Sequence, residues 1–473
     1  MKQPDTREQQ TEALAGWRWA LVFIAIGVLV AVLSLVSRHR HQNHEANAAP
    51  TVVIEASKHW TSEPVDRHGS RMRGWNAPGQ GNPSAEEIVA KKLSQFARGR
   101  HELVYALAKR FKVEVPEDVE RFFAAVERGK WEEIDAAHAA LLAGGDLTTP
   151  RSSELHSIWR AIQETWGVAR ESHDWPAQKL LDYGNAVLGS LRPGMIYVGG
   201  TDPGCFIPTF LNETGEGERH VVLTQNALAD GYYLDYLNYL YGDRMTTLTH
   251  EDSQKAFEEY LADAKKRAEH DQQFPDEAKQ VRPGEEIRLT NGGVSIGGQI
   301  AVMSINEKMF QMLMEKNPDA SFAMEQSFPF KSVYANATPL GPIMELRVQD
   351  QQNALTPERA RASVEYWRDT ARELQTSSED QNLQNPRMAY AKMASEQAAL
   401  LLDRNYTQEA EETLRVAVQI APSSPEALFR YIDVLTRQSR AAEGIPMVEA
   451  AIKAAPENPQ FQSLLAQLKT GKK

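Results

Sequence analysis

The chain has 473 residues, of which 42% are hydrophobic and 25% charged, and its formal net charge is −12. Single cores stop growing near roughly 250–300 residues, so two or three soluble units are expected. The acidic balance argues against an extended nucleic-acid surface, which needs a basic face. One cysteine, Cys205, leaves no intrachain disulfide framework and no cysteine-based zinc site.

Polar residues 1–16 form an N-terminal tail. Residues 17–37 then read as a transmembrane helix, because Ala20 to Val36 carries no charge and only Ser34 is polar. About 20 residues at about 1.5 Å each span roughly 30 Å, the hydrocarbon thickness of a bilayer. Trp17 and Trp19 suit the interfacial belt, and Arg18 can snorkel. A cleaved signal peptide is the rival reading, with "HEANAAP" at 44–50 as its cleavage region. Lys2, Arg7 and Arg18 against Arg38 and Arg40 favour an N-in orientation. Residues 38–84 read as a flexible linker. His39, His41 and His44 lack a carboxylate or second ligand pair, so they are read as solvated rather than metal-binding.

Residues 85–190 read as all-helical. Ser84 and Glu87 make a capping box, and Val89, Leu93, Phe96, Leu103, Leu107 and Phe111 recur at helical spacing. A helical hairpin follows from Pro116, turning at Gly129. "SSELHSIWRAIQETWGVA" then puts Ile158, Trp159, Ile162 and Trp166 on one apolar face.

From Met195 the pattern changes. "MIYVGG" and "RHVVLTQ" are short apolar runs, as buried strands are. Each is followed by a helical stretch, which predicts an α/β (Rossmann-like) domain over 191–350 with parallel strands. "EIRLTNGGVSIGG" carries a β-hairpin insertion turning at Asn291-Gly292-Gly293. "QIAVMSIN" feeds a helix whose Met309, Met312 and Met314 read as flexible core filler. "SFAMEQSF" and "PIMELRV" supply two further strands.

Residues 351–384 read as a connecting helix and 385–470 as tetratricopeptide-like repeats. "APSSP" at Ala421 and "APENP" at Ala455 lie 34 residues apart, the period of that repeat. With Pro422 and Pro456 closing the units, small helix-contact positions fall on Ala398, Ala410, Ala417, Gly444 and Ala451. Bulky positions fall on Leu401, Leu414, Leu435 and Val448. Two repeats and a partial third are few for a free solenoid, so they are expected to pack on the preceding domain.

The candidate site is the loop "GGTDPGC" after the first strand, with the end of the second strand, "TQNALAD". Gly199, Gly200 and Gly204 permit close backbone approach. Thr201 or Asp202 caps the next helix, whose N-terminus offers N–H groups to an anion. Asn226 and Asp230 reach the same carboxyl edge if the strands are parallel neighbours, where α/β proteins bind ligands. With Tyr232, Tyr233 and Tyr236 this fits a hydroxyl-rich ligand. Asp-Pro-Gly is also plain turn chemistry, so a ligand site and a structural turn both stand. No phosphate-loop lysine or dinucleotide fingerprint is present, and no cofactor, metal or catalytic residue is assigned. Cys205 near a helix start is a candidate for a lowered thiol pKa.

"GGTDPGCFIPTF", "VVLTQNALADGYYLDYL", "GGVSIGGQIAVMSIN" and "SFPF" resemble the soluble C-terminal region of bacterial protein O-mannosyltransferase-like multi-pass membrane proteins. The resemblance covers roughly residues 175–460. It implies a domain on the non-cytoplasmic face of a bacterial inner membrane, often ending in tetratricopeptide-like repeats. The chain departs from that family in having one span rather than many, and in lacking the membrane-embedded carboxylates of such an enzyme. The family also more often carries arginine where Cys205 stands.

These features together give a mixed fold: one N-terminal transmembrane helix, a helical segment, an α/β domain and helical repeats. The functional expectation is a single-pass inner-membrane envelope protein with its soluble part periplasmic. Its role is binding or scaffolding rather than catalysis. The repeats dock a protein partner, and the α/β domain takes a glycan or lipid-linked sugar. The alternative is an accessory or catalytic subunit of glycosyl transfer at the outer face of that membrane. A scaffold whose α/β unit holds no ligand is a third reading.

Overall fold

The computed structural model describes residues 83–142, 150–290, 293–326, 330–346, 355–376 and 383–470. The proposed membrane span and nearly all of the linker lie outside these residues. Among the described residues no helix is long and apolar enough to cross a membrane.

Helix α1 (Ala85–Phe111) starts where the sequence signals it. Ser84 Oγ accepts the Glu87 N–H at 3.2 Å, and Glu87 accepts the Ser84 N–H at 2.9 Å. Helices α2 (Glu117–Arg128) and α3 (Trp131–Ala139) form the expected hairpin. Gly129 ends α2 at φ 69°, a left-handed cap that glycine adopts without a Cβ clash. Helices α4 (His156–Asp174) and α5 (Ala177–Leu188) complete the N-terminal helical layer.

Strand β1 (Ile196–Gly199), helix α6 (Asp202–Thr214), strand β2 (Val221–Thr224) and helix α7 (Gly231–Tyr241) follow in order. Helix α8 (His250–Gln273) leads to the hairpin of β3 (Glu286–Thr290) and β4 (Gly293–Gly297), which pairs Thr290 with Gly293. All of "QIAVMSINEKMFQMLMEK" is one helix, α9 (Gln299–Lys316), because Gly298 turns the chain at φ 84° immediately before it. Strands β5 (Phe322–Met324), β6 (Thr338–Leu340) and β7 (Ile343–Leu346) finish the sheet.

The sheet has the order β2-β1-β5-β7-β6. Strands β2 and β5 flank β1 in parallel, while β7 and β6 run antiparallel. This corrects the expectation of a parallel, Rossmann-like sheet. A single hairpin joins β6 to β7, and hairpins force antiparallel pairing. Pro339 sits on edge strand β6, where its missing N–H leaves no ladder bond unmade.

Both faces of the sheet are covered. Ile196, Val198, Val221, Leu223, Phe322, Met324, Met344 and Leu346 point into one buried cluster with α1 to α4 and α7 to α9. The alternate residues Tyr197, Val222, Ala323 and Ile343 point into a second cluster with α5, α6 and the C-terminal helices. The period of two along each strand distributes these side chains between the two layers. Each of the two clusters therefore draws on residues from both sides of position 190.

The C-terminal helices are α10 (Pro357–Thr376), α11 (Gln384–Asp403), α12 (Thr407–Ile420), α13 (Pro425–Arg437), α14 (Ile445–Ala454) and α15 (Pro459–Thr470). They stack with α11 on α12, α12 on α13 and α14 on α15, while the turn at Ala441–Gly444 packs on both α13 and α14. Ala398, Ala410, Ala417, Ala451, Leu401, Leu414, Leu435 and Val448 are all fully buried. At Gly444 a Cβ would overlap the Ile432 side chain, so the turn there packs tightly on α13. The stack packs on the sheet. Gln397 donates to the carbonyls of Gly341 and Ile343, each at 2.8 Å, and accepts from Ser363 and Trp367.

Candidate functional site

The parallel strands place the loop after β1, the end of β2 and the end of β5 on one carboxyl edge. Chain order reverses around β1, which is the kind of point where open α/β sheets form a ligand crevice. In this chain the crevice holds a side chain of its own. Glu325, 3% exposed, extends the ladder from β5 by donating its N–H to Val198 O at 3.0 Å. Its Oε2 accepts the N–H groups of Gly200 (3.0 Å) and Thr201 (2.9 Å). Its Oε1 accepts the Thr201 hydroxyl at 2.6 Å and the Tyr183 hydroxyl at 3.4 Å.

Two glycines of the loop, Gly199 and Gly204, have a physical reason. A Cβ at Gly199 would overlap the Gly204 carbonyl, so α6 could not start so close to the strand. A Cβ at Gly204 would overlap the Glu325 carboxylate itself. Thr201 is the helix cap, accepting the Gly204 N–H at 3.0 Å. Asp202 occupies the next position and pairs with Arg170 at 2.7 Å. The N–H groups of Gly200 and Thr201, just before the helix, are thus bonded to an internal carboxylate, and those of Gly204 and Cys205 go to Thr201.

Helix α4 supplies the charges around this loop. Arg170 bridges Asp202 and Glu171 (2.9 Å) and stacks over Trp166. Burial pushes the Glu171 carboxyl up to about 7, against the opposing pull of Arg170. Nearly three turns earlier, Arg160 donates to Thr224 Oγ1 at 2.5 Å and to Glu164 at 3.0 Å, and lies over the Tyr233 ring. Glu164 also accepts from Tyr236 at 2.6 Å and pairs with Arg100 at 3.1 Å. Two part-buried arginines on one apolar helix are therefore held by carboxylates and tyrosines, as charges drawn out of water must be.

On the β2 side, Asn226 donates to Gly200 O at 3.2 Å, while its Oδ1 is buried with no hydrogen-bond partner. Asp230 caps α7 through the Tyr232 N–H at 2.9 Å. Burial raises its carboxyl pKa, with the Tyr232 N–H and Arg160 opposing the rise. Gly199, Gly200, Thr201, Asp202, Gly204 and Asn226 are brought together by these contacts. Asp230 makes none of these contacts, and Arg160 acts on it through charge alone.

Cys205 behaves opposite to its sequence signal. Burial and the neighbouring Glu325 raise its pKa, so the thiolate is disfavoured. The internal carboxylate cancels the positive helix end that would have lowered it.

Arg160, Arg170, Glu171 and Glu325 are absent from the residues chosen from sequence. The signal for Glu325 is a carboxylate immediately after the buried run "SFAM". The arginines give a weaker signal, as charges among tryptophans and isoleucines on one helix.

Two cavities lie away from the loop. One of about 700 Å³ is bounded by Asn238, Arg244, Thr246, Lys316 and Asn317. The other, about 320 Å³, is bounded by Arg192, Leu340, Glu345, Arg359 and Tyr366. Among the described residues no group of three or more His, Cys, Asp or Glu is placed to hold a metal ion.

With the α11 to α15 stack and its buried alanines in view, the comparison with known families is direct. Residues 401–468 match the tetratricopeptide repeat. The tetratricopeptide unit therefore stands as read from the 34-residue spacing, and such repeats serve protein–protein interaction or scaffolding. No curated protein and no solved structure matches the chain.

Proposed function

We propose that this chain is a membrane-anchored bacterial envelope protein that scaffolds a protein partner through its tetratricopeptide unit. The observation that carries this reading is the match of residues 401–468 to a repeat family whose stacked helices present a concave surface to partners. The apolar run at 17–37 supports the anchor, and the resemblance of residues 175–460 to mannosyltransferase-like membrane proteins supports a periplasmic soluble part. Capture of partners from bacterial membrane extracts by the full chain tests the docking role. Glu426→Ala, at an exposed position on the first helix of the second repeat, should lose the captured proteins while the chain stays folded. Capture that is indifferent to this change removes the repeats from the role. Alkaline extraction of the full chain and of a form lacking 17–37 tests the anchor, since only the former should stay with membranes.

The α/β domain's ligand, in the same reading, is hydroxyl-rich and approaches from the β2 side. Asn226 Oδ1, Asp230, Arg160 and Tyr232 offer donors, acceptors and an exposed ring there. Glu325 disfavours a phosphate in the crevice, because a second anion would face an occupied carboxylate. A saturating glycan at about 100 times its dissociation constant would raise stability by about 2.7 kcal/mol. Thermal unfolding across a panel of glycans and sugar phosphates reads this directly. A shift with sugar phosphates alone would reverse the preference and favour the glycosyl-transfer alternative.

A further inference from the structure

Successive repeats place equivalent residues 34 positions apart, and two such pairs carry opposite charges. Lys392 faces Glu426 at 3.8 Å. Glu396 accepts from Arg430 Nη2 at 2.8 Å and from Nη1 at 3.1 Å, and Arg430 also donates to the Ser395 carbonyl at 2.9 Å. These residues lie between α11 and α13, the first helices of the two repeats, which pack side by side.

Glu396 has a third partner from outside the repeats. Gln326, the residue after Glu325, donates from Nε2 to Glu396 Oε2 at 2.5 Å. Gln326 is 4% exposed, and its Oε1 is buried with no hydrogen-bond partner. Adjacent residues at the end of β5 thus hold two different units: Glu325 the loop after β1, and Gln326 the inner face of the repeats.

Taking the docking role above as its premise, we propose that Gln326 is an internal occupant of the repeat groove, displaced by a partner segment that carries lysine or arginine. A neutral amide is an imperfect occupant. Its donor serves Glu396, but its own carbonyl oxygen is stranded in a buried place. A cationic side chain would make a charge-assisted bond to the same carboxylate and would bring no acceptor to strand. Burial raises the Glu396 pKa in spite of Arg430 and Lys392. Displacement leaves the repeats attached, because Gln397 keeps its bonds to Gly341 and Ile343. It loosens the neighbouring Glu325 and so reaches the Gly200–Thr201 loop.

The test uses the full chain, a hexapeptide of alternating alanine and lysine, and its alanine–glutamate counterpart. Gln326→Ala should bind the lysine peptide at least tenfold more tightly than the wild type, at physiological salt. Adding Glu396→Gln should abolish that gain, and the glutamate peptide should show none. Hydrogen exchange on Gln326→Ala should quicken at Gly200, Thr201 and the α11 amides. No gain in binding, a gain that survives Glu396→Gln, or unchanged exchange at these amides each overturns the proposal. Should the peptide gain fail while the wild-type chain still captures partners through Glu426, the docking role stands without it. If both fail, the docking role falls as well.

Discussion

Replacing Glu325 by alanine removes the group that organises the carboxyl edge of the sheet. The N–H groups of Gly200 and Thr201 and the Thr201 hydroxyl lose a charged acceptor at 2.6–3.0 Å. Hydrogen bonds to charged groups contribute about 1.5–3 kcal/mol each, which puts the three at roughly 4.5–9 kcal/mol. Thr201 is partly exposed to water, so the expected loss lies at the lower end, about 5 kcal/mol. Glu325→Gln keeps one oxygen for the two N–H groups but turns an amide toward the hydroxyl, and should lose about half as much. Urea unfolding of the full chain, followed by circular dichroism, measures both through the midpoint at constant slope. A Glu325→Ala variant within about 1 kcal/mol of the wild type would refute the carboxylate as the organiser of the loop.

Other expectations follow from the same contacts. Glu171 titrates near 7 in the folded chain against an ordinary value of 4.5, so the folded state holds the extra proton between these values. Stability should therefore fall as pH rises through that window, by up to about 3 kcal/mol, and Glu171→Gln should flatten the profile in denaturant titrations at pH 5 and pH 8. Asp202→Ala leaves Arg170 its bond to Glu171, so it should cost only about 1 kcal/mol, measured by the same titration. Ala417→Leu forces a larger side chain between fully buried helices and should cost about 1–3 kcal/mol, read from thermal melting. Cys205 should resist a thiol reagent at neutral pH until denaturant is added; rapid labelling of the folded chain would contradict its burial.

The sequence by itself determined the local elements and the repeats. Ser84 with Glu87 marks the start of α1, Gly129 the end of α2, and Asn291-Gly292 the hairpin of β3 and β4, because caps and turns depend on residues a few positions apart. The alanines and prolines 34 residues apart place the tetratricopeptide unit for the same reason, since each repeat packs chiefly on its neighbour. Tertiary structure alone decided the sheet order, the antiparallel β7 and β6, and the role of the glycine loop. "GGTDPG" carries the marks of an anion cradle whether or not the anion is already present. Its occupant, Glu325, comes from 124 residues further along the chain than Thr201 and reaches it only because β5 pairs with β1. The arginines of α4 and the link from Gln326 to Glu396 belong to the same class. Long-range pairing sets them, and no local pattern in the chain records which charges will meet.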